Sequence, residues 1–191
     1  MDELAKAAGK DPVQFRRDML QKDSRTRQVL DLAAEKAGWS KPLATGRSRG
    51  VAVVESFGTY VAEVAEISID PKAKSLQVHR VVAAVDCGRY VNPETIRAQI
   101  EGSIVYGLTA ALKGEITVTG GRIDQSNFNN YDVLRINGTP QVEVHIVESS
   151  DGPGGIGEPG TPPITPAVCN AIFAATEKPI RRLPIRPEDL A

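Results

Sequence analysis

A long stretch that alternates between apolar and polar residues constrains the fold more than any other feature of this sequence. It runs VAVVESFGTYVAEVAEISID over residues 51–70 and, after the turn DPKAK, continues as SLQVHRVVAAVD over residues 75–86. Both parts are rich in Val and Ile and come close to strict alternation, which is typical of β-strands. We therefore expect three strands, the last two of which form a hairpin around Pro71.

Two helices are predicted ahead of the strands, in a lead-in that covers residues 1–40. Asp11 and Pro12 form an N-cap and N1 pair in front of VQFRRDML. Ser24 is a good N-cap for RTRQVLDLAAEKAG, and Gly38 is expected to end that second helix.

A longer helix is predicted to follow Asn92, because Asn is a strong N-cap and Pro93 suits the first helical position. Its apolar stripe would consist of Ile96, Ile100, Ile104, Leu108 and Ala111. Residues 139–149, TPQVEVHIVES, alternate again and are predicted to form another strand.

The last helix is predicted to have Thr165 as its N-cap and Pro166 at N1. Its inward-facing residues would be Val168, Ile172 and Ala175. Because there is neither an internal repeat nor a linker, we expect one domain over residues 1–191. Its fold class would be α+β, with helices packed on a mixed or antiparallel sheet formed within residues 48–191.

Charge and cysteine content exclude several functions. The 23 basic and 24 acidic residues leave a net charge of -1, which provides no electrostatic footprint for nucleic acid. Cys87 and Cys169 are far apart, so this chain alone builds neither a zinc site nor an iron-sulfur cluster, and both are expected to be reduced thiols. Apolar runs such as VVAAV are too short to cross a bilayer, and residues 1–10 lack the pattern of a signal peptide.

The segment GPGGIGEPGTPPITP, residues 152–166, surrounds a single carboxylate with glycine and proline. Pro159 restricts the backbone of Glu158, while glycines such as Gly157 keep side chains away from it. A general base needs a fixed proton acceptor in a dry pocket, and this setting provides the fixed acceptor. A surface loop with a solvated glutamate is the alternative.

One face of the predicted helix after Asn92 carries Gln99, Gly102, Ser103 and Tyr106 at helical spacing. Small residues beside a neutral amide suit a heterocycle or a phosphate ester, because the amide both donates and accepts hydrogen bonds. Close packing against another element explains the same pattern. Similarly, the turn DCGRYVNP before the helix either presents backbone N–H groups to a ligand or simply joins a strand to a helix.

Three ordered motifs together resemble a known family. DCGRYVNPETIRAQIEGSIVYGL, NYDVLRINGTPQVEVHIVES and GGIGEPGTPPITPAVCNAIFAAT are similar to the C-terminal part of the molybdopterin-binding large subunit of the xanthine oxidase family. The resemblance is to its isoquinoline 1-oxidoreductase and aldehyde dehydrogenase branch, and it extends over nearly the whole chain. It implies a molybdenum hydroxylase that oxidises an N-heterocycle or an aldehyde with water as the oxygen source.

The resemblance also implies roles for individual residues. Glu158, in Gly157-Glu158-Pro159, matches the family's base at the molybdenum centre. Gln99, in the Gln-x-Glu-Gly motif that ends at Gly102, matches a glutamine that hydrogen-bonds the pterin. Gln99, Gly102 and Gly157 are therefore the implied cofactor-binding residues. The implied cofactor is molybdenum-molybdopterin cytosine dinucleotide, in which the pterin dithiolene binds the metal and no protein side chain does.

The implied partners are an iron-sulfur small subunit, the remaining part of the molybdopterin-binding subunit and a small-molecule substrate. The family's large subunit is several times longer than this chain, so the chain on its own is expected to be inactive. The compartment would be the cytoplasm, or the periplasm after export with a partner. A non-catalytic scaffold that retains the fold and a stand-alone nucleotide-binding module are the alternative functions.

Overall fold

A four-stranded mixed sheet forms the centre of the chain in the computed structural model, which describes residues 1–190. Its strand order is β1-β2-β3-β6, with antiparallel pairing among the first three strands and parallel pairing between β3 and β6. The elements are α1 (Asp2–Ala7), α2 (Pro12–Met19), α3 (Arg25–Lys36), β1 (Arg47–Ser56), β2 (Thr59–Asp70), β3 (Ser75–Asp86), α4 (Pro93–Leu112), β4 (Val118–Thr119), β5 (Arg122–Ile123), β6 (Gln141–Ile146) and α5 (Thr161–Thr176), with short 3-10 helices at Ile136–Gly138 and Pro187–Leu190. The α+β class, the three strands and the hairpin at Pro71 are therefore confirmed.

Each face of the sheet is covered by helices, because the strands are apolar on both sides. On one face, α4 and α5 bury the predicted stripe of α4, in which Ile100, Ile104 and Leu108 are fully buried. On the other face, α2 and α3 pack against residues such as Val51 and Ala62. Removing these apolar side chains from water stabilises the packing of the helices on both faces, by roughly 25 cal/mol per Å² of apolar surface buried.

The two predicted helices of the lead-in, α2 and α3, begin where the sequence predicts, whereas α1 is a third helix that was not predicted. The Asp11 carboxylate accepts a hydrogen bond from the Gln14 N–H at 2.9 Å, and the Ser24 hydroxyl accepts one from the Arg27 N–H at 3.3 Å. Gly38, just beyond α3, has φ of +62°, as a helix-ending glycine should. None of the helices within residues 1–190 is long and apolar enough to cross a membrane.

Arg25, the first residue of α3, connects the lead-in to the end of β3. Its guanidinium lies 2.7 Å from the Asp86 carboxylate and 3.3 Å from that of Asp151, and it stacks 4.5 Å from the centre of the Tyr60 ring. Burial acts to raise the pKa of Asp86, but hydrogen bonds from Arg25 and from the Gly88 N–H outweigh it and lower that pKa. The lead-in therefore holds the end of β3 in place, next to the loop that contains Asp151.

The predicted start of the last helix is wrong. α5 begins at Thr161 with Gly160 at its N-cap, so Pro166 lies inside the helix instead of at N1. Pro162 and Pro163 occupy the first turn, where the missing N–H costs no intrahelical bond, and they extend the helix by a full turn beyond the prediction. The Thr165 hydroxyl is not a cap, and it donates a hydrogen bond to the Gly107 carbonyl at 3.3 Å.

Two of the three residues predicted to face inward on α5 do so. Val168 and Ile172 are fully buried, whereas Ala175, next to the last residue of the helix, is exposed. Both thiols are unpaired, and burial raises the pKa of Cys87 and raises that of Cys169 to about 11.

The loop between β6 and α5 is fixed to the end of the sheet over residues 154 and 155. The Gly154 N–H donates to the Cys87 carbonyl, and the Gly155 N–H donates to the Phe57 carbonyl, both at 2.8 Å. The Thr59 hydroxyl donates to the Gly155 carbonyl at 2.6 Å. A Cβ on Gly154 would lie only 2.4 Å from the Thr59 hydroxyl oxygen, so the close approach of the loop requires glycine there.

Glu63, in the middle of β2, is fully buried on the face that α4 and α5 cover. Its neighbours on the adjacent strands are Ala52 and Ala83, two small residues that leave room for the carboxyl group. Neither carboxylate oxygen has a hydrogen-bond partner within residues 1–190. Burial raises the pKa of Glu63 well above its usual value, because the buried site disfavours the charged form of the carboxyl group.

Glu63→Gln should flatten the dependence of stability on pH. A carboxyl with a raised folded pKa stabilises the fold fully below its unfolded pKa, near 4.3, and that contribution is lost as pH rises toward the folded pKa. We expect the free energy of unfolding of the wild type to fall by up to about 1.4 kcal/mol per pH unit relative to Glu63→Gln above pH 5. Urea titrations at several pH values measure this difference. Glu55→Gln, at an exposed position on β1, is the control, and parallel profiles for the wild type and Glu63→Gln would contradict the prediction.

Gly154→Ala should destabilise the chain, whereas Gly152→Ala should not. The added methyl group at residue 154 meets Thr59 and the Gly58 carbonyl, while a Cβ at residue 152 has nothing within 4 Å. We expect a loss of about 1–3 kcal/mol for the first variant and a change within about 0.5 kcal/mol for the second. Denaturant midpoints measure both values, and equal stability of the two variants would show that the loop is not fixed at this point.

Candidate functional site

The outer face of α4 and the residues that lead into α5 form the walls of one open cleft of about 370 Å³. All four predicted site residues lie in it. The lining consists of Gln99, Gly102, Ser103, Tyr106, Gly157, Glu158 and Thr161. The two contributing segments are far apart in sequence, and the packing of α4 against α5 brings them together.

Two of the cleft residues on α4 are free of internal packing. Gln99 and Gly102 are exposed, and a Cβ added to Gly102 would meet nothing within 4 Å. The next residue, Ser103, is buried and lies against Gly160, where an added Cβ would come within 3.0 Å of the serine Cβ. Close packing therefore explains Ser103 but not Gly102, and the space above Gly102 is open to a ligand.

Glu158 has a fixed backbone and a free side chain. The Gly157 carbonyl accepts a hydrogen bond from the Ser103 hydroxyl at 3.2 Å, and the Glu158 carbonyl accepts one from the Thr161 N–H at 2.8 Å. Pro159 is buried directly after it. Within residues 1–190, the Glu158 carboxylate makes no hydrogen bond or ion pair, so both of its oxygens remain available as acceptors.

Residues 1–190 do not form around Glu158 the dry pocket that a general base needs. Glu158 and Gly157 are exposed, as are Gln99 and Gly102 opposite them. Only two segments border the cleft, so nothing within residues 1–190 closes its outer side. A base that works in a dry site would need that side to be covered by another segment or subunit.

The DCGRYVNP turn has a structural role. Gly88 has φ of +72°, a left-handed conformation that glycine adopts readily, and its N–H donates to the Asp86 carboxylate at 3.0 Å. The Arg89 N–H donates to the Asp151 carbonyl at the same distance. A Cβ on Gly88 would lie 2.1 Å from the Gly152 carbonyl oxygen, so the turn packs directly against the loop that contains residues 151 and 152. Of the two interpretations, the structure favours the plain connection between strand and helix.

The N-terminus of α5 offers few backbone donors to an anion. The Thr161 N–H is already bonded to the Glu158 carbonyl, and Pro162 and Pro163 have no N–H. The hydrogen-bonding groups that the cleft presents to a ligand are therefore side chains: the Gln99 amide, the Tyr106 hydroxyl and the Glu158 carboxylate. Sequence reasoning missed Thr161, because it placed the start of the helix at Thr165.

The residues of the cleft fit an organic cofactor better than a metal ion bound by side chains. Within residues 1–190, no group of three or more His, Cys, Asp or Glu side chains lies close enough to hold a metal. The glycines at 102 and 157 leave open space next to the Gln99 amide and the Glu158 carboxylate, since a Cβ on either glycine would have no neighbour within 4 Å. A flat heterocycle with hydrogen-bonding edges suits such a surface.

Comparison with known proteins agrees with this chemistry. Residues 2–140 match the family model for the molybdopterin cofactor-binding domain. The chain is 35% identical over 190 residues to isoquinoline 1-oxidoreductase subunit beta of Brevundimonas diminuta, covering 98% of this chain and 24% of that protein. It is 31% identical over 209 aligned positions to a membrane-bound aldehyde dehydrogenase (pyrroloquinoline-quinone) of Gluconacetobacter polyoxogenes, covering all of this chain and 27% of that protein.

The fold is also found in a solved structure, that of quinoline 2-oxidoreductase from Pseudomonas putida 86. The TM-score is 0.63 at 24% identity, and the match covers 69% of this chain and 18% of that one. The chain spans about a quarter of the length of the two relatives above. Because the family model covers well over half of its residues, the chain belongs to the molybdopterin cofactor-binding domain family.

Proposed function

We propose that this chain is part of a molybdenum hydroxylase that oxidises an N-heterocycle or an aldehyde with water as the oxygen source. In this proposal residues 1–191 act as one domain, the C-terminal segment of a larger molybdopterin-binding subunit. One observation carries the proposal: Gln99 and Gly102 on α4 lie in the same cleft as Gly157 and Glu158. The names of the relatives, an isoquinoline oxidoreductase subunit and an aldehyde dehydrogenase, support the two substrate classes.

The cofactor in this proposal is molybdenum-molybdopterin cytosine dinucleotide. Gln99 would hydrogen-bond the pterin through its amide, while Gly102 and Gly157 leave room for the ring system beside the backbone. When bound, the cofactor supplies the redox chemistry and holds the metal through its dithiolene. The family description supports a molybdopterin, and the cytosine dinucleotide form is part of the proposal.

Glu158 would act as the general base. Its backbone is fixed on both sides, through the Gly157 and Glu158 carbonyls, so the carboxylate is tethered to a rigid support. Its oxygens are free to accept the proton that is released when water supplies the oxygen atom. The remaining part of the subunit would cover the open side of the cleft and exclude water from this carboxylate.

The partners in this proposal are the rest of the molybdopterin-binding subunit and an iron-sulfur small subunit that accepts electrons. The name of the Brevundimonas relative, subunit beta, supports a multi-subunit assembly. The assembly would work in the cytoplasm, or in the periplasm after export with a partner.

A non-catalytic scaffold is the second candidate, because an exposed Glu158 in the chain alone is what a scaffold predicts. Neighbouring reading frames that encode the rest of the subunit and a small protein with cluster-ligating cysteines would favour the hydroxylase. A stand-alone nucleotide-binding module would instead bind a cytidine nucleotide, which calorimetry on the purified chain tests.

Glu158→Gln should abolish most of the hydroxylation without loss of cofactor. The amide keeps the shape of the side chain but accepts no proton, so we expect turnover by the assembled enzyme to fall by roughly 10²–10⁴-fold. Molybdenum and pterin content should equal those of the wild type. Glu55→Gln is the control, since Glu55 is exposed on β1 and does not line the cleft. If Glu158→Gln keeps most of its rate, the assignment of the base is wrong.

Gly102→Leu should make the chain alone more stable but reduce the amount of cofactor that the assembled subunit retains. Glycine inside a helix costs about 0.5–1 kcal/mol relative to a good helix former, and this position has open space, so the chain alone should become more stable. The leucine side chain would occupy the cleft, so the assembled subunit should retain much less molybdenum and pterin.

Ala98→Leu, at an exposed position on α4 outside the cleft, is the control for Gly102→Leu and should retain normal cofactor content. Thermal unfolding of the chain and metal analysis of the assembly are the two measurements. Full cofactor content in Gly102→Leu would place the pterin elsewhere.

A further inference from the structure

The tip of the β1-β2 hairpin has an unusual conformation. Phe57 and Gly58 form a two-residue turn in which both backbones are left-handed, with φ of +56° and +73°. Glycine adopts this conformation readily, but a bulky residue such as Phe does so at a conformational cost. Such strain persists where surrounding contacts hold the backbone in place. Here the contact is made by the Phe57 carbonyl, which accepts the Gly155 N–H at 2.8 Å.

Thr59, on the other side of the tip, completes the attachment. Its side chain is fully buried, and the hydroxyl donates to the Gly155 carbonyl at 2.6 Å. A buried hydroxyl without a hydrogen-bond partner would destabilise the fold. Valine has nearly the same volume as threonine, is favoured in strands and needs no hydrogen-bond partner. The hydroxyl at this position therefore serves the bond to Gly155, which is held through both its N–H and its carbonyl.

The attachment lies close to the candidate base. Gly155 precedes Glu158 by three residues, and beyond it the Ser103 hydroxyl holds the Gly157 carbonyl. The segment that carries Glu158 is thus held by the hairpin tip on one side and by α4 on the other. No other side chain within residues 1–190 donates a hydrogen bond to residues 152–156.

We propose that Thr59 is a positioning residue for Glu158: its hydroxyl, through Gly155, holds the loop so that the carboxylate stays above the cleft. The inference rests on the proposed function for what the loop does, whereas the attachment itself concerns only this chain. A purely structural threonine would affect the stability of the whole sheet. A positioning threonine affects the loop first and acts on catalysis only through Glu158.

Amide hydrogen exchange in the 191-residue chain tests the attachment. In Thr59→Val the amides of Gly154, Gly155 and Thr161 should exchange roughly three- to tenfold faster, the change expected for loss of one net hydrogen bond. Amides in the middle of β2 and β3 should keep their rates, and Thr59→Ser should resemble the wild type. Thr59→Ala, which removes the hydroxyl without adding bulk, should reproduce Thr59→Val. Unchanged loop rates in both hydroxyl-free variants, or equal acceleration throughout the sheet, would overturn the proposal.

A double-mutant cycle in the assembled enzyme tests the link to the base. Thr59→Val should lower kcat with little change in KM, and Thr59→Ser should restore it. In a Glu158→Gln background, Thr59→Val should cause no further loss, because a residue that acts through Glu158 has nothing left to position. An equal loss in both backgrounds would contradict the proposal. If Glu158→Gln itself has no effect, the proposed function fails while the exchange result still decides whether Thr59 holds the loop.

Discussion

Burial of α4 and α5 against one face of the sheet determines where the cleft opens. Ile100 and Ile104 of α4 and Ile164 of α5 are fully buried in that shared core. Gln99 and Gly102 lie beside the buried isoleucines of α4, at the edge of its apolar stripe, while Glu158 comes just before α5 begins. Hydrophobic packing that any α+β domain would need therefore brings the four candidate site residues to one edge of the molecule.

Rigidity and exposure are combined at this edge. The backbone on either side of Glu158 is hydrogen-bonded to the Ser103 hydroxyl and the Thr161 N–H, and the loop before it is fixed to the hairpin tip. The side chains that would do chemistry are nevertheless open to solvent. Such a rigid but exposed surface is what one wall of a site would present when the opposite wall belongs to another segment. The chain spans only about a quarter of the length of the relatives above.

Much of the fold could be predicted because its signals are local. Alternation identified the strands, and side-chain caps such as Asp11, Ser24 and Asn92 fixed the starts of three helices. The start of α5 was missed because its prolines at 162, 163 and 166 offer similar local signals, and only packing against Gly107 and Ser103 selects among them. Parallel pairing of β6 with β3 is equally non-local, since it depends on the crossover through α4. The motifs identified the residues of the candidate site. Their exposure could not be predicted from the sequence, because it depends on which segments cover the cleft.

An experimental structure of the assembled, cofactor-loaded subunit is the most direct test of this assignment of the cleft. We expect pterin density in the cleft between α4 and the loop before α5, within hydrogen-bonding distance of the Gln99 amide, with the Glu158 carboxylate facing the metal. Pterin bound at another surface, with this cleft filled by protein side chains, would contradict it.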